Sequence, residues 1–331
     1  MVGRRNSSPG GGGSRYAPSG LLDQHAVRPS GAARPAGRPA HGGVAQYRGR
    51  VTLDDDLRLA LRLADAADAI SRDRFLALDL VVDTKPDSTP VSDADRAVEE
   101  AIRAILAAER PDDAILGEEF GTSGDAARQW IIDPIDGTAH FVRGVPIWAT
   151  LIALAVDGVP VVGVVSAPAL GKRWWASRDA GAWVDESRAP LGSLDLPDEL
   201  RGVLVAPVAE EPRRLRVSGV AALADATFSY NSIQQWDGAG RLEQLLQLAR
   251  SVWRDRAYGD AWPYMLVAEG LIDGAGEFDV KPYDLAALVP IVEEAGGRFT
   301  SVDGEDGPWR GSALATNGVL HDEVLAIVAR R

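Results

Sequence analysis

The sequence predicts a mixed fold, α+β or layered α/β, over residues 51–331, preceded by a disordered basic tail over residues 1–50. Three observations carry this. Apolar residues recur at helical spacing between Leu57 and Leu106. From Trp130 to Val184 the apolar residues run in short strand-like blocks, with Asp157-Gly158 as a hairpin signal between two of them. Helical and strand-like segments then alternate through the second half. Hairpins combined with layered helices argue against a doubly wound dinucleotide-binding domain. No internal repeat is visible.

Taken in order, residues 1–50 are Gly, Pro, Arg, Ser and Ala without period, including Gly10-Gly11-Gly12-Gly13. Such a stretch buries too little apolar area to offset its ordering entropy. A basic arm touching an anionic partner, or translation from an upstream start codon, are its other readings. Order is expected to begin near Thr52. A first helix follows Leu57, Leu61, Ala64 and Ala67. A second starts at Asp93, with Val98, Ile102, Ile105 and Leu106 on one stripe and Ser92 or Asp93 as its cap. Ala114-Ile115-Leu116 and Trp130-Ile131-Ile132 read as strands, the latter stopped by Pro134. Segments 147–156 and 159–167 form a hairpin, and Trp174-Trp175-Ala176 and Ala182-Trp183-Val184 extend the sheet. Helices are expected over 239–252, 259–270 and 284–295. The last is kinked by Pro290 and ends at Gly296-Gly297.

The bulk properties narrow the function. With 331 residues, 46% of them hydrophobic, the chain can bury a sizeable core in one large domain or two packed ones. It has no cysteine, which removes disulfides, thiolate nucleophiles and Cys-based zinc sites and fits a reducing cytoplasm. No apolar run approaches the roughly 18–20 residues of a membrane span, so no membrane partner is expected. The formal charge is −13, yet residues 1–50 hold eight arginines against one acid, Asp23, leaving the rest near −20 (−13 less +7). An acidic body disfavours nucleic acid. It either aids solubility or reflects carboxylates gathered to bind divalent cations.

The segment Asp133-Pro134-Ile135-Asp136-Gly137-Thr138 points to the second reading. A buried strand ends there and presents two carboxylates three residues apart. They repel unless a cation lies between them, and a hard divalent ion suits oxygen ligands. The turn frees the Ile135 carbonyl, and Thr138 adds a hydroxyl. A surface Asp-Pro/Asp-Gly turn is the competing reading. Gly117-Glu118-Glu119 follows another strand end, and Asp284 opens an apolar helix, where a plain helix cap is its alternative role.

Together, Gly117-Glu118-Glu119, Trp130 to Thr138, and Asp284 ahead of Glu294-Ala295-Gly296-Gly297 resemble the inositol-monophosphatase superfamily in order and spacing, over roughly residues 53–330. The resemblance implies an α-β-α-β-α sandwich, a homodimer, and hydrolysis of a small phosphate monoester with two or three Mg²⁺ ions. It implies that Glu118, Asp133 and the Ile135 carbonyl hold one ion, and that Asp133, Asp136 and Asp284 hold a second. Asp95, within Thr89-Pro90-Val91-Ser92-Asp93-Ala94-Asp95, pairs with Thr138 to orient or deprotonate the attacking water; Asp93 matches less well. Lys85 helps complete the metal site, and the backbone N–H groups of Gly137 and Thr138 face phosphate. The absence of a Gly-Lys-Ser/Thr phosphate loop and of cysteine agrees with attack by water and no covalent intermediate.

Within that superfamily the chain most resembles histidinol-phosphate phosphatases. The residues concerned are Asp83-Thr84-Lys85-Pro86-Asp87, Val142-Arg143-Gly144-Val145-Pro146, Val164 to Leu170, Tyr258-Gly259-Asp260 and Lys281-Pro282-Tyr283-Asp284. L-histidinol phosphate is therefore the expected substrate. Its amine and imidazole suit nearby acids, and Asp260 and Glu277 are the candidates, Asp260 having a helix-cap role as its alternative. Ala139-His140 departs from the usual pattern after the threonine, and His140 either contacts substrate or packs. Inositol, sugar or amino-alcohol phosphates, and a paralogue recruited to another pathway, are the alternative readings. A catalytically inactive scaffold would have lost a metal carboxylate, and Glu118, Asp133, Asp136 and Asp284 are all present.

Overall fold

A computed structural model of the protein describes residues 52–86, 89–187 and 211–329. The expected disordered tail and Asp87 lie outside the described residues. Helix α1 (Leu53–Arg74) begins at a Thr52/Asp55 capping box, in which the Asp55 N–H donates to Thr52 Oγ1 at 3.2 Å and the Thr52 N–H to Asp55 Oδ2 at 3.1 Å. Its buried face is Leu59, Ala60, Leu63, Ala64 and Ala67, with Leu57 and Leu61 at the edge. The expected stripe is thus rotated, because the alanines and Leu59/Leu63 let the helix approach the sheet closely. A short hairpin, β1 (Val82–Thr84) and β2 (Pro90–Ser92), leads into α2 (Asp93–Glu109). Ser92 rather than Asp93 caps α2, and Asp95 at the third position accepts back from the Ser92 N–H at 2.8 Å. Val98, Ile102 and Leu106 are fully buried along one stripe, each contributing about 1.5–3 kcal/mol.

Next come β3 (Ala114–Gly117), β4 (Gly121–Ser123), β5 (Arg128–Asp136), the five-residue α3 (Thr138–Val142), and strands β6 (Ala149–Val156), β7 (Val159–Ala167), β8 (Lys172–Ser177), β9 (Gly181–Asp185) and β10 (Arg213–Arg214). They form one eight-stranded sheet, ordered β10-β9-β8-β7-β6-β5-β3-β4 and antiparallel except where β3 pairs β5. Asp157 and Gly158 both take positive φ, 51° and 77°, as the tight β6–β7 turn requires. Pro134 does not stop β5. The strand continues to Asp136 across a register break with β6, and the Pro134 carbonyl accepts from Thr150 Oγ1 at 2.8 Å. A proline, lacking an N–H, is tolerated at such a bulge.

The second half holds β11 (Thr227–Tyr230), α4 (Ile233–Gly238), α5 (Leu242–Ser251), β12 (Arg254–Ala257), α6 (Trp262–Ala268), β13 (Gly274–Phe278), α7 (Pro282–Leu285), α8 (Leu288–Glu294), β14 (Arg298–Thr300), β15 (Ser312–Thr316) and α9 (His321–Val328). The strands form a five-stranded sheet, β12-β11-β13-β15-β14. The helix expected over 239–252 is α5, which starts at Leu242 after Gly240 takes φ 70°, and the short α4 before it was not anticipated. The helix expected over 284–295 is split, into α7 and α8. Pro290 falls in the first turn of α8, where a missing N–H leaves no bond unmade, so the break lies just upstream of it. Gly296, at φ 94°, and Gly297 close α8, the Gly297 N–H reaching the Val292 carbonyl at 2.9 Å.

Alternation along the strands explains the layers. Trp130, Ile132, Ile152 and Leu154 meet α1 and α2 on one face of the large sheet. Ile131, Leu151, Ala153 and Val165 face the other way, toward Met265 of α6 and Leu288 and Ile291 of α8. Those two helices also pack on Ala275, Ala313 and Phe299 of the small sheet. The far face of that sheet, Phe228 and Leu314, is covered by Trp236, Leu248 and Val324 of α4, α5 and α9. The architecture is therefore the expected α-β-α-β-α sandwich.

Candidate active site

The site is built where β5 ends. Its bulge turns both Asp133 and Asp136 into one cleft, and Gly137, at φ 85°, permits the abrupt start of α3 at Thr138. Helix α3 is anchored from below by Phe141, whose ring lies 4.9 Å from that of Trp148 and 5.4 Å from that of Phe75. Asp284 comes from the first turn of α7. Its carboxylate accepts from the Lys281 N–H at 2.6 Å, so the capping role and the place in the site coexist.

Carboxylate oxygens of Asp133, Asp136 and Asp284 lie within 4.8 Å of one another. Burial, then the neighbouring acids, pushes Asp133 and Asp136 well above the usual carboxylate range, and burial chiefly pushes Asp284 up to about 7. Asp136 is held by the Ala261 N–H at 2.6 Å. Asp133 Oδ1 is buried without any hydrogen-bond partner. Three clustered acids that repel one another, two of them buried and one with an unsatisfied oxygen, match the donor set of a hard divalent cation.

Glu118 follows β3 beside this trio, close enough to Asp133 to push its pKa up, and its carboxylate also contacts Lys85. Lys85 Nζ lies 2.8 Å from Glu118 and 2.7 Å from Glu119. Burial works against the lysine charge, but these two partners outweigh it and raise its pKa. Thr138 Oγ1 lies 3.0 Å from Asp95 Oδ1 and 2.9 Å from the Ile135 carbonyl. Asp95 is fully buried, and burial raises its pKa against the hydrogen bonds from Ser92 and Thr138. Asp93 sits apart, paired with Arg74 at 2.7 Å.

A cleft of about 670 Å³ opens over these groups, lined by Glu118, Asp133, Ile135, Asp136, Gly137, Thr138, His140, Asp260, Glu277 and Asp284 among others. Asp260 does not cap α6. It takes φ 55° and turns its carboxylate to His140 Nδ1 at 2.9 Å, which chiefly raises the imidazole pKa. Glu277 accepts from the Tyr264 hydroxyl at 2.7 Å, and burial pushes its carboxyl up to about 8.

Sequence reading missed Glu99. This fully buried side chain accepts from the Glu119 N–H at 2.7 Å and the Phe120 N–H at 3.3 Å, and it pairs with Arg103 Nε at 2.7 Å. Arg103 in turn reaches Ser123 Oγ at 3.0 Å. The pair thus grips the turn that carries Glu118. Its only sequence signal was a glutamate one turn beyond Asp95, four residues before an arginine, which reads equally well as a solvated helix pair. Asn231, Gln235, Asp279 and Lys281 also line the cleft and were not anticipated.

A sequence model of the inositol monophosphatase family matches residues 53–331. The chain is 53% identical over 281 residues to a histidinol-phosphatase of Streptomyces coelicolor, covering 84% of this chain and 98% of that one. It is 56% identical over 272 residues to a histidinol-phosphatase of Mycobacterium tuberculosis, covering 82% and 96%. An inositol monophosphatase structure from Zymomonas mobilis superposes with a TM-score of 0.69 at 32% identity, over 85% of this chain and 100% of that one. The chain belongs to the inositol monophosphatase family.

Proposed function

We propose that the protein is a Mg²⁺-dependent phosphatase that hydrolyses L-histidinol phosphate to L-histidinol and phosphate. The observation that carries the hydrolytic chemistry is the cluster of Asp133, Asp136 and the half-buried Asp284 with an unpartnered Asp133 oxygen, set beside the Thr138–Asp95 hydrogen bond. Asp133, Asp136 and Asp284, together with Glu118 and the Ile135 carbonyl, hold two or three ions. When bound, these screen the phosphate dianion and make water a competent nucleophile at neutral pH.

The chain's own residues do the rest. Water above Thr138 passes a proton to Oγ1 as the Thr138 proton moves to Asp95 Oδ1. Burial suits the Asp95 carboxylate to receive it, since burial raises its pKa and makes it a stronger base. The Asp95 Oδ2 is occupied by the Ser92 N–H and hydroxyl, at 2.8 and 2.6 Å, which leaves Oδ1 for the relay. Gly137 and Thr138, at the start of α3, offer backbone N–H groups to the phosphate. Lys85 holds Glu118 and adds positive charge near it.

Two observations support the substrate. Relatives above 50% identity over most of the chain are histidinol-phosphatases. The leaving-group side of the cleft carries Asp260, Glu277 and Asp279, which suit an amine and an imidazole. A homodimer acting in the cytoplasm belongs to the same proposal. Phosphate release before and after chelation tests the chemistry. EDTA should stop turnover and Mg²⁺ should restore it; turnover that persists in metal-free buffer contradicts the reading.

A further inference from the structure

Three parallel strands of the small sheet end at the cleft. Tyr230 of β11 pairs in register with Ala257 of β12 and with Gly276 of β13. The residues that follow them are brought together: Asn231 from β11, Tyr258 to Asp260 from β12, and Glu277 to Asp279 from β13. Ligands gather at such carboxyl-terminal strand edges. Asn231 is fixed there by one bond, its Nδ2 donating to the Phe278 carbonyl at 3.1 Å. Reversing the amide would set two acceptors against each other, so Oδ1 is the atom left over. That oxygen is buried and has no hydrogen-bond partner, and the side chain lines the cleft.

The surrounding wall has acceptors in excess. Asp260 holds His140, and Lys281 Nζ lies 3.8 Å from Asp279. Among the described residues no group satisfies Asn231 Oδ1. An unmet buried acceptor is destabilising, and a bound ligand relieves it only by bringing a donor. A polyol hydroxyl can donate or accept. A cationic nitrogen can only donate, and it is also drawn by Asp260 and Asp279.

We propose that Asn231 is a specificity-determining residue, its Oδ1 accepting a hydrogen bond from an N–H of a cationic amino-alcohol phosphate. This rests on the proposed substrate reading and adds a residue to it. The test compares N231L with the unmutated enzyme, both with Mg²⁺, on L-histidinol phosphate and on the nitrogen-free ester glycerol 2-phosphate. N231L should lose about 10- to 100-fold in kcat/KM on L-histidinol phosphate, mainly through KM. On glycerol 2-phosphate it should stay within about twofold, with an unchanged Mg²⁺ activation constant. N231A serves the same comparison should the leucine variant not fold.

Equal losses on both esters would mean a structural role and overturn the proposal, as would no loss on either. An unmutated enzyme without preference for L-histidinol phosphate over glycerol 2-phosphate overturns the substrate reading, and this proposal with it. A preference that survives in N231L overturns the role of Asn231 alone.

Discussion

At the scale of single residues, the site turns on what burial does to charge. Asp133 has the most exacting position: almost no solvent exposure, acids on several sides and one oxygen without a partner. On the proposed reading it would be a ligand of the bound metal. Asp133→Asn keeps the shape but removes the carboxylate's charge and replaces one oxygen by an NH2 group. It should lower kcat by more than about 100-fold while leaving the circular-dichroism spectrum unchanged. Activity close to that of the unmutated enzyme would remove Asp133 from the metal site. These residues were legible because strand end, proline, glycine and paired acids sit within six consecutive positions. Glu99 and Asn231 were not, because each acts through atoms far away in sequence. Glu99 reaches backbone N–H groups twenty and twenty-one residues on, and Asn231 a carbonyl forty-seven residues on.

Elements deliver those residues. The turn after β3 that presents Glu118 is held by the Glu99–Arg103 pair of α2, and Gly117 makes the close packing feasible. A Cβ at Gly117 would lie 1.9 Å from Glu99 Oε1. Gly117→Ala should therefore push Glu99 off the Glu119 and Phe120 N–H groups. The Mg²⁺ activation constant should rise by about 10- to 100-fold, read from phosphate release against Mg²⁺ concentration. An unchanged constant would show that Glu118 is positioned without this contact. Sequence periodicity located α2 and the β6–β7 hairpin well, since their apolar spacing and turn residues are local signals. It misplaced the end of β5 and ran one helix across the break between α7 and α8. Whether Pro134 ends a strand or sits in a bulge depends on pairing with β6, and the break between Leu285 and Leu288 falls inside an apolar pattern that runs on across it.

Across the molecule, stability and metal binding are linked through protons. Burial raises the folded-state pKa of Asp284 to about 7 and of Glu277 to about 8, and raises Asp133 and Asp136 as well. Unfolded, these groups titrate near 4. In the metal-free protein the native state therefore binds more protons than the unfolded chain between those limits. The part of its stability that these groups contribute is fully present below about pH 4 and is lost as pH rises through 7 to 8. On the proposed reading, Mg²⁺ would substitute for those protons. The increase in Tm on adding Mg²⁺ should be larger at pH 8.5 than at pH 6, measured against EDTA controls. Equal increases would contradict the linkage. The five-layer architecture was expected from family resemblance. Its physical trace in the sequence is the apolar character of 149–156 and 160–167, broken only by Thr150 and Ser166, which marks strands covered on both faces.

The central claim is that this cleft hydrolyses L-histidinol phosphate, and the most direct measurement is phosphate release with Mg²⁺ across a panel containing it, inositol 1-phosphate and small sugar phosphates. The account predicts the highest kcat/KM for L-histidinol phosphate, by about tenfold or more over each of the others. A higher value for inositol 1-phosphate or a sugar phosphate would contradict the substrate assignment while leaving the hydrolytic centre in place.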